Sequence, residues 1–186
     1  MVKDRVTQVT ERRNPSSRNM DLLPTEDLLR LINREDHRVA EAIRMVIPAI
    51  TKAVDLIAER MKQGGHLIYI GAGTSGRLGV LDAVECTPTF SLEPGRVIGI
   101  IAGGKGAMFK AKEAVEDNYQ LGAEEISRYK VGKKDCVVGI AASGKTPYVL
   151  GALEAAKKRG ALSIMIYCNE ETPIEQKPDV EINPVV

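Results

Sequence analysis

His66-Leu67-Ile68-Tyr69-Ile70-Gly71-Ala72-Gly73-Thr74-Ser75-Gly76 is a short apolar run that passes straight into a glycine-rich turn. The run His66–Ile70 predicts a strand buried on both faces, because it is continuously apolar rather than alternating. The glycines after it predict a tight turn and close backbone approach, followed by a helix. The same rhythm continues outward. Val97–Ile101, Cys136–Ile140 and Ser163–Tyr167 read as further strands, and Val180–Ile182 as the start of a fifth. Helical stretches are expected near residues 77–86, 106–127 and 147–159. Strands and helices in turn predict an α/β fold, a doubly wound five-stranded parallel sheet of flavodoxin-like type with right-handed crossovers.

Toward the N-terminus the pattern changes. Residues 1–24 are polar, broken by Asn14, Pro15, Ser16 and Ser17, and read as an extended or poorly ordered arm. Thr25 can cap a short helix through Leu28, Leu29, Leu31 and Ile32. Asp36 can cap a longer one. Its apolar face is Val39, Ile43, Val46, Ile50, Val54, Ile57 and Met61, and Gly64-Gly65 ends it. Pro48 is expected to kink or split it. The chain thus divides into N-terminal arm and helices, 1–62, and a sheet domain, 63–186.

The bulk numbers narrow the function. Lys and Arg total 26 against 25 Asp and Glu, so there is no basic excess for nucleic acid or a membrane surface. Aromatics are 4% and Trp is absent, which argues against base stacking. Cys86, Cys136 and Cys168 are widely spaced and form no zinc pattern or disulfide framework; reduced thiols in a cytoplasm are the simple reading. Met1–Met20 has no apolar core of the signal-peptide or membrane-span kind.

Two loops have the chemistry to hold a phosphoryl group. In the first, Gly73, Thr74, Ser75 and Gly76 combine backbone N–H groups, two hydroxyls and a helix N-terminus. It matches GxGxxG, but the second strand ends in Ala102-Gly103-Gly104, with no acid to hold a ribose, so a dinucleotide is disfavoured. The second loop is Ala141-Ala142-Ser143-Gly144-Lys145-Thr146-Pro147. Thr146 is explained as an N-cap with Pro147 at the first helical position; Ser143 and Gly144 are not. Lys145 adds charge, or is simply solvated. Both loops fall at carboxyl ends of strands, where such sheets bind ligands.

Glu85, in Asp82-Ala83-Val84-Glu85-Cys86, has small or apolar neighbours. A carboxyl group desolvated there would suit a general acid, although a surface glutamate is the plainer reading. Glu113, Glu116 and Asp117 read as a solvated helical face, and spacing does not choose among them as a base. His37 and His66 fit no triad and are taken as structural or exposed.

The run from Gly71 to Phe90, containing Gly-Thr-Ser-Gly-Arg and Glu-Cys-Thr-Pro-Thr-Phe, resembles the signature of the N-acetylmuramic acid 6-phosphate etherase family. Asn14–Ser17 with Leu28–Asn33, Ile101–Gly104, and Gly139–Val149 resemble three further stretches. The resemblance implies a sugar-isomerase (SIS) domain, a homodimer with active sites near the subunit interface, and no metal or organic cofactor. It implies a cytoplasmic lyase that releases D-lactate from the C3 ether of N-acetylmuramic acid 6-phosphate, leaving N-acetylglucosamine 6-phosphate. Glu85 takes the position of the family's proton donor and Glu116 that of its second catalytic glutamate. Thr87 and Lys145 depart from residues usual there. The chain stops at Asn183-Pro184-Val185-Val186, where the family continues with a substrate-holding loop and helices, so a truncation or natural fragment is expected. Two other readings share these loops: a sugar-phosphate-binding regulator, which has no need of the glutamates, and a sugar-phosphate isomerase.

Overall fold

The structure, a computed structural model, describes residues 8–112, 114–170 and 177–186. Five parallel strands, β1 (Leu67–Gly71), β2 (Val97–Ile101), β3 (Cys136–Ile140), β4 (Leu162–Ile166) and β5 (Val180–Ile182), form one sheet in the order β2-β1-β3-β4-β5. Each strand lies within a residue of the position that its apolar run predicts. Side chains alternate across the sheet, so each strand feeds two cores. Ile68, Ile70, Ile100, Val137 and Met165 pack on one side with Ile126, Tyr148, Val149 and Leu153. Leu67, Cys136, Val138, Ile164 and Val180 pack on the other with Ala53 and the half-buried Ala49, Ile50 and Ile57.

Among the described residues four helices cover these faces: α1 (Thr25–Lys62), α2 (Gly73–Phe90), α3 (Tyr119–Arg128) and α4 (Pro147–Lys158). The two helices expected before β1 are one. α1 runs unbroken for 38 residues, with Pro24 at its N-cap, Thr25 already helical, and Asp36 and Pro48 inside it. Pro48 removes one backbone hydrogen bond. The apolar stripe on both sides of it, Val46, Ala49, Ile50 and Ala53, stays on one core and holds the helix together. At 1.5 Å per residue α1 is about 57 Å long, so its N-terminal half outreaches the sheet. Ion pairs Arg30–Glu26 and Arg38–Glu35 lie on that half.

Two more expectations change. The arm over residues 8–24 is not extended: it makes 3-10 turns at Val9–Glu11, Pro15–Ser17 and Met20–Leu22. Asn14 accepts from the N–H of Ser16 at 2.9 Å and donates to Glu35 of α1 at 2.6 Å. The helix expected over 106–127 is a 3-10 turn at Lys105–Met108, then a connection, then α3. Asn118 starts α3 by accepting from the N–H of Leu121 at 2.9 Å. Glu116 therefore lies on a turn before a helix rather than on a helical face. Among the described residues no helix is long and apolar enough to cross a membrane.

Candidate functional site

β1 and β3 are neighbours in register, with Gly71 opposite Ile140. From β1 the chain turns toward β2 on one edge, and from β3 it proceeds to β4 on the other. The gap between the carboxyl ends of β1 and β3 is thus the switch point of the sheet, where the two crossovers leave in opposite directions and open a crevice. Both predicted loops start there.

The first loop is already helix. Gly73, Thr74 and Ser75 form the first turn of α2 behind Ala72 at the N-cap. Ala72 has no side-chain acceptor for the unpaired N–H groups of that turn, which are left for a ligand or water. Gly73 and Thr74 are exposed and Ser75 is half-buried. Gly76 is buried and plays a different part: a Cβ there would lie 2.6 Å from the carbonyl oxygen of Gly71 and 2.8 Å from Ile101 Cγ1. It lets α2 leave β1 at contact distance and is a packing residue.

In the second loop Thr146 is the N-cap of α4 and Pro147 its first residue, as expected. Its hydroxyl nonetheless makes no capping bond to the described residues. Ser143 Oγ accepts from the N–H of Lys145 at 3.1 Å. Gly144 is buried, Ser143 and Thr146 are half-buried and Lys145 is exposed.

A cleft of about 130 Å³ opens beside the first loop, lined by Ala72, Gly73, Arg77, Ala107, Lys112 and Glu116 among others. Several contacts hold its wall. Arg77 donates to the carbonyls of Ala107 at 2.8 Å and Met108 at 3.1 Å, fixing the 3-10 turn after β2. Lys112 Nζ donates to the carbonyl of Gly103 at 2.6 Å. The carbonyl of Glu116 accepts the N–H of Tyr148 in the first turn of α4 at 3.0 Å. Glu116 is therefore tied to the helix that carries the second loop. Arg77 and Lys112 were not singled out from the sequence, since anchoring to distant carbonyls leaves no local pattern. Glu113 lies outside the described residues.

Glu85 is elsewhere. It is exposed on α2, about 18 Å along the helix from Gly73 at 1.5 Å per residue, and does not line the cleft of Glu116. In the single chain it is thus the surface glutamate of the plainer reading, not a desolvated one. It shares a helix face with Leu78 and Leu81, each 57% exposed, and Val84, 62% exposed, flanks that face. The three cysteines are free. Burial pushes the Cys136 thiol up to about 11 and raises Cys86 and Cys168 as well, so all three remain protonated near neutrality.

An open parallel sheet with two glycine- and hydroxyl-bearing loops at its switch point places the chain in the class of doubly wound α/β domains. Solved structures agree on the fold. A phosphoheptose isomerase from Francisella tularensis superposes with a TM-score of 0.65 over 85% of this chain and 86% of its own, at 20% identity. One from Neisseria gonorrhoeae gives 0.66 over 87% and 85%, at 19% identity. The family model described as the glucokinase regulatory protein N-terminal SIS domain matches residues 49–157, and the chain belongs to that family. In sequence it is similar to proteins named N-acetylmuramic acid 6-phosphate etherase: 55% identical over 178 residues to that of Photorhabdus laumondii and 51% to that of Caldanaerobacter subterraneus. These alignments cover 96% of this chain but 59% and 58% of the relatives, so the chain spans about 60% of their length.

Proposed function

We propose that the chain is the sugar-phosphate-binding and acid–base part of a cytoplasmic lyase that cleaves the D-lactyl ether of N-acetylmuramic acid 6-phosphate. The observation that carries this reading is the cleft joining Gly73, at the N-terminus of α2, to Glu116. A phosphoryl group held by Thr74, Ser75, Ser143 and Thr146 leaves its sugar beside a carboxylate. In the open-chain sugar the C1 aldehyde acidifies the C2 proton. Glu116 removes that proton, the electron pair forms the C2–C3 double bond, and the C3–O bond breaks. Glu85 protonates the departing lactate oxygen. Water then adds at C3, a proton returns to C2, and N-acetylglucosamine 6-phosphate results. One glutamate starts ionised and the other protonated, as two-carboxyl chemistry requires.

The separation of the two glutamates along one chain gives the reading a geometric condition. Glu85 reaches the cleft only from a second copy, docked through the apolar face of α2 on which it lies. The test mixes Glu85→Gln and Glu116→Gln chains, each extended to the length of the etherase relatives, and measures D-lactate release. Each variant alone is expected to lose at least a hundredfold in kcat. The mixture is expected to recover about a quarter of wild-type activity, because hybrid dimers contain one intact site. No recovery would place both groups in one chain and end the shared-site reading. A wild-type protein that binds N-acetylglucosamine 6-phosphate yet releases no lactate would instead support a regulatory sugar-phosphate sensor; the description of the family model names a regulatory protein. Conversion of the substrate to an isomer of unchanged mass would support an isomerase.

A further inference from the structure

Asn169 is 2% exposed and stands just beyond β4, facing the Ser143 turn. The two N–H groups of its Nδ2 are shared among three acceptors, the carbonyl of Ser143 at 3.1 Å, that of Ala142 at 3.2 Å and Thr10 Oγ1 at 3.2 Å. Its Oδ1 accepts the N–H of Thr10 at 3.4 Å. The two carbonyls fix which way the amide faces. The same carbonyls are held twice over. Cys168 donates its N–H to Ala142 at 2.9 Å, and Gln8 Nε2 donates to Ser143 at 3.4 Å.

Every hydrogen-bonding atom of this buried amide is thus spent on one turn and on the arm that crosses it. The effect is directional. Two consecutive carbonyl oxygens of the turn point back toward the end of β4. An anion is repelled by carbonyl oxygens and held by N–H and O–H groups, so the orientation of these two peptides decides whether the turn can accept one.

We propose that Asn169 is a positioning residue for anion binding by the Ser143–Thr146 turn, locked in place by the Gln8–Thr10 segment. The proposal rests on the reading of that turn as a phosphoryl grip. It makes the arm a strap that touches the turn only from behind, at the Ser143 carbonyl, and raises affinity by holding the turn's orientation.

Calorimetric titration of the intact chain with N-acetylglucosamine 6-phosphate tests it, with N-acetylglucosamine as control and amide hydrogen exchange read at residues 142–146 and 73–77. Asn169→Ala and Asn169→Asp are expected to weaken binding about tenfold and to speed exchange at 142–146 alone. Thr10→Val keeps the N–H bond, loses the hydroxyl acceptor, and is expected to weaken binding about threefold. In Asn169→Asp the deficit relative to wild type narrows as the pH falls through the carboxyl range, because a protonated carboxyl group again donates to a carbonyl. Asn169→Ala shows no such recovery. In a Ser143→Ala background the Asn169 variants are expected to add little further loss.

Unchanged exchange at 142–146 in Asn169→Ala overturns the proposal, as does faster exchange with unchanged affinity. If Asn169→Ala does not fold, the exposed Thr10→Val decides by the same two readouts. Failure of the underlying reading looks different: wild type does not bind the sugar phosphate and Ser143→Ala changes nothing, and the proposal falls with it.

Discussion

Gly76 shows how a single hydrogen atom in place of a side chain sets the position of a helix N-terminus at the candidate site. The N-terminus of α2 faces the crevice only because that helix can rise from β1 with its backbone against the carbonyl of Gly71 and the side chain of Ile101. Gly76→Ala puts a methyl group where neither neighbour can retreat without moving the turn. It is expected to destabilise the protein by about 2 kcal/mol and to lower Tm by roughly 4–8 °C. A thermal melt checks this, and a Tm within a degree of wild type would show that α2 is free to shift. Arg77, next in the chain, works by the opposite means. Its guanidinium reaches out to two carbonyls of the turn after β2 and draws that turn against the cleft.

Helices and strands are joined at the other end of the sheet by two carboxylates. Asp135 accepts the N–H groups of His66 and Gly132 at 2.8 Å each, which ties the entry of β1 to that of β3. Its burial alone would raise its pKa, but those N–H groups and the His66 ring outweigh burial and hold it below the usual carboxylate range. Asp179 does the same between β4 and β5. Burial raises it, while the N–H and hydroxyl of Ser163, then Lys157, bring it below normal. Both groups have depressed folded-state pKa values. Their stabilisation is complete above the unfolded carboxylate pKa of about 3.9 and is lost as the pH falls from there through the lower folded values. Unfolding free energy is therefore expected to be flat near neutrality and to drop below about pH 4. In Asp135→Asn the neutral-pH stability should fall by about 1–2 kcal/mol, and the acid slope should become shallower. Denaturant titrations at a series of pH values give both quantities, and an unchanged acid slope in the variant would remove Asp135 from this account.

Considered as one body, the protein has more apolar surface than its own core uses. Along α2, Leu78, Leu81 and Val84 are more than half exposed and Phe90 is 74% exposed; Leu29, Met45 and Val54 of α1 are also open. Exposed apolar side chains grouped on one helix face suit contact with other protein. Association of two copies through α2 is expected, with a sedimentation mass near twice the 20.2 kDa chain. Leu81→Asp combined with Val84→Asp should yield a monomer with Tm close to wild type, since neither side chain enters a core. A double variant that remains dimeric would move the interface off α2 and remove the shared-site arrangement of Glu85 and Glu116.

Features that depend on near neighbours in the chain were legible from residue order. The five strands announce themselves because a strand covered on both faces must be apolar throughout. The glycine-to-helix junction after β1 and the Thr146 N-cap with Pro147 after β3 do so because glycine, hydroxyl and proline preferences act within a few residues, although α2 begins at Gly73, inside the run that reads as a turn. The resemblance of Gly71–Phe90 to the etherase signature is likewise a matter of consecutive residues. What folding alone decided involves partners far apart in sequence. Burial of an unbroken stripe carried α1 through Pro48, against its local signal. A cap at Asn118 and a bond from Tyr148 placed Glu116 on a turn at the cleft. Asn169 and Thr10, 159 positions apart, met over the Ser143 turn. The reason is physical: helix, strand and turn preferences are short-ranged, whereas the direction of a carbonyl or carboxylate in a site depends on whichever distant group the packed sheet brings opposite it.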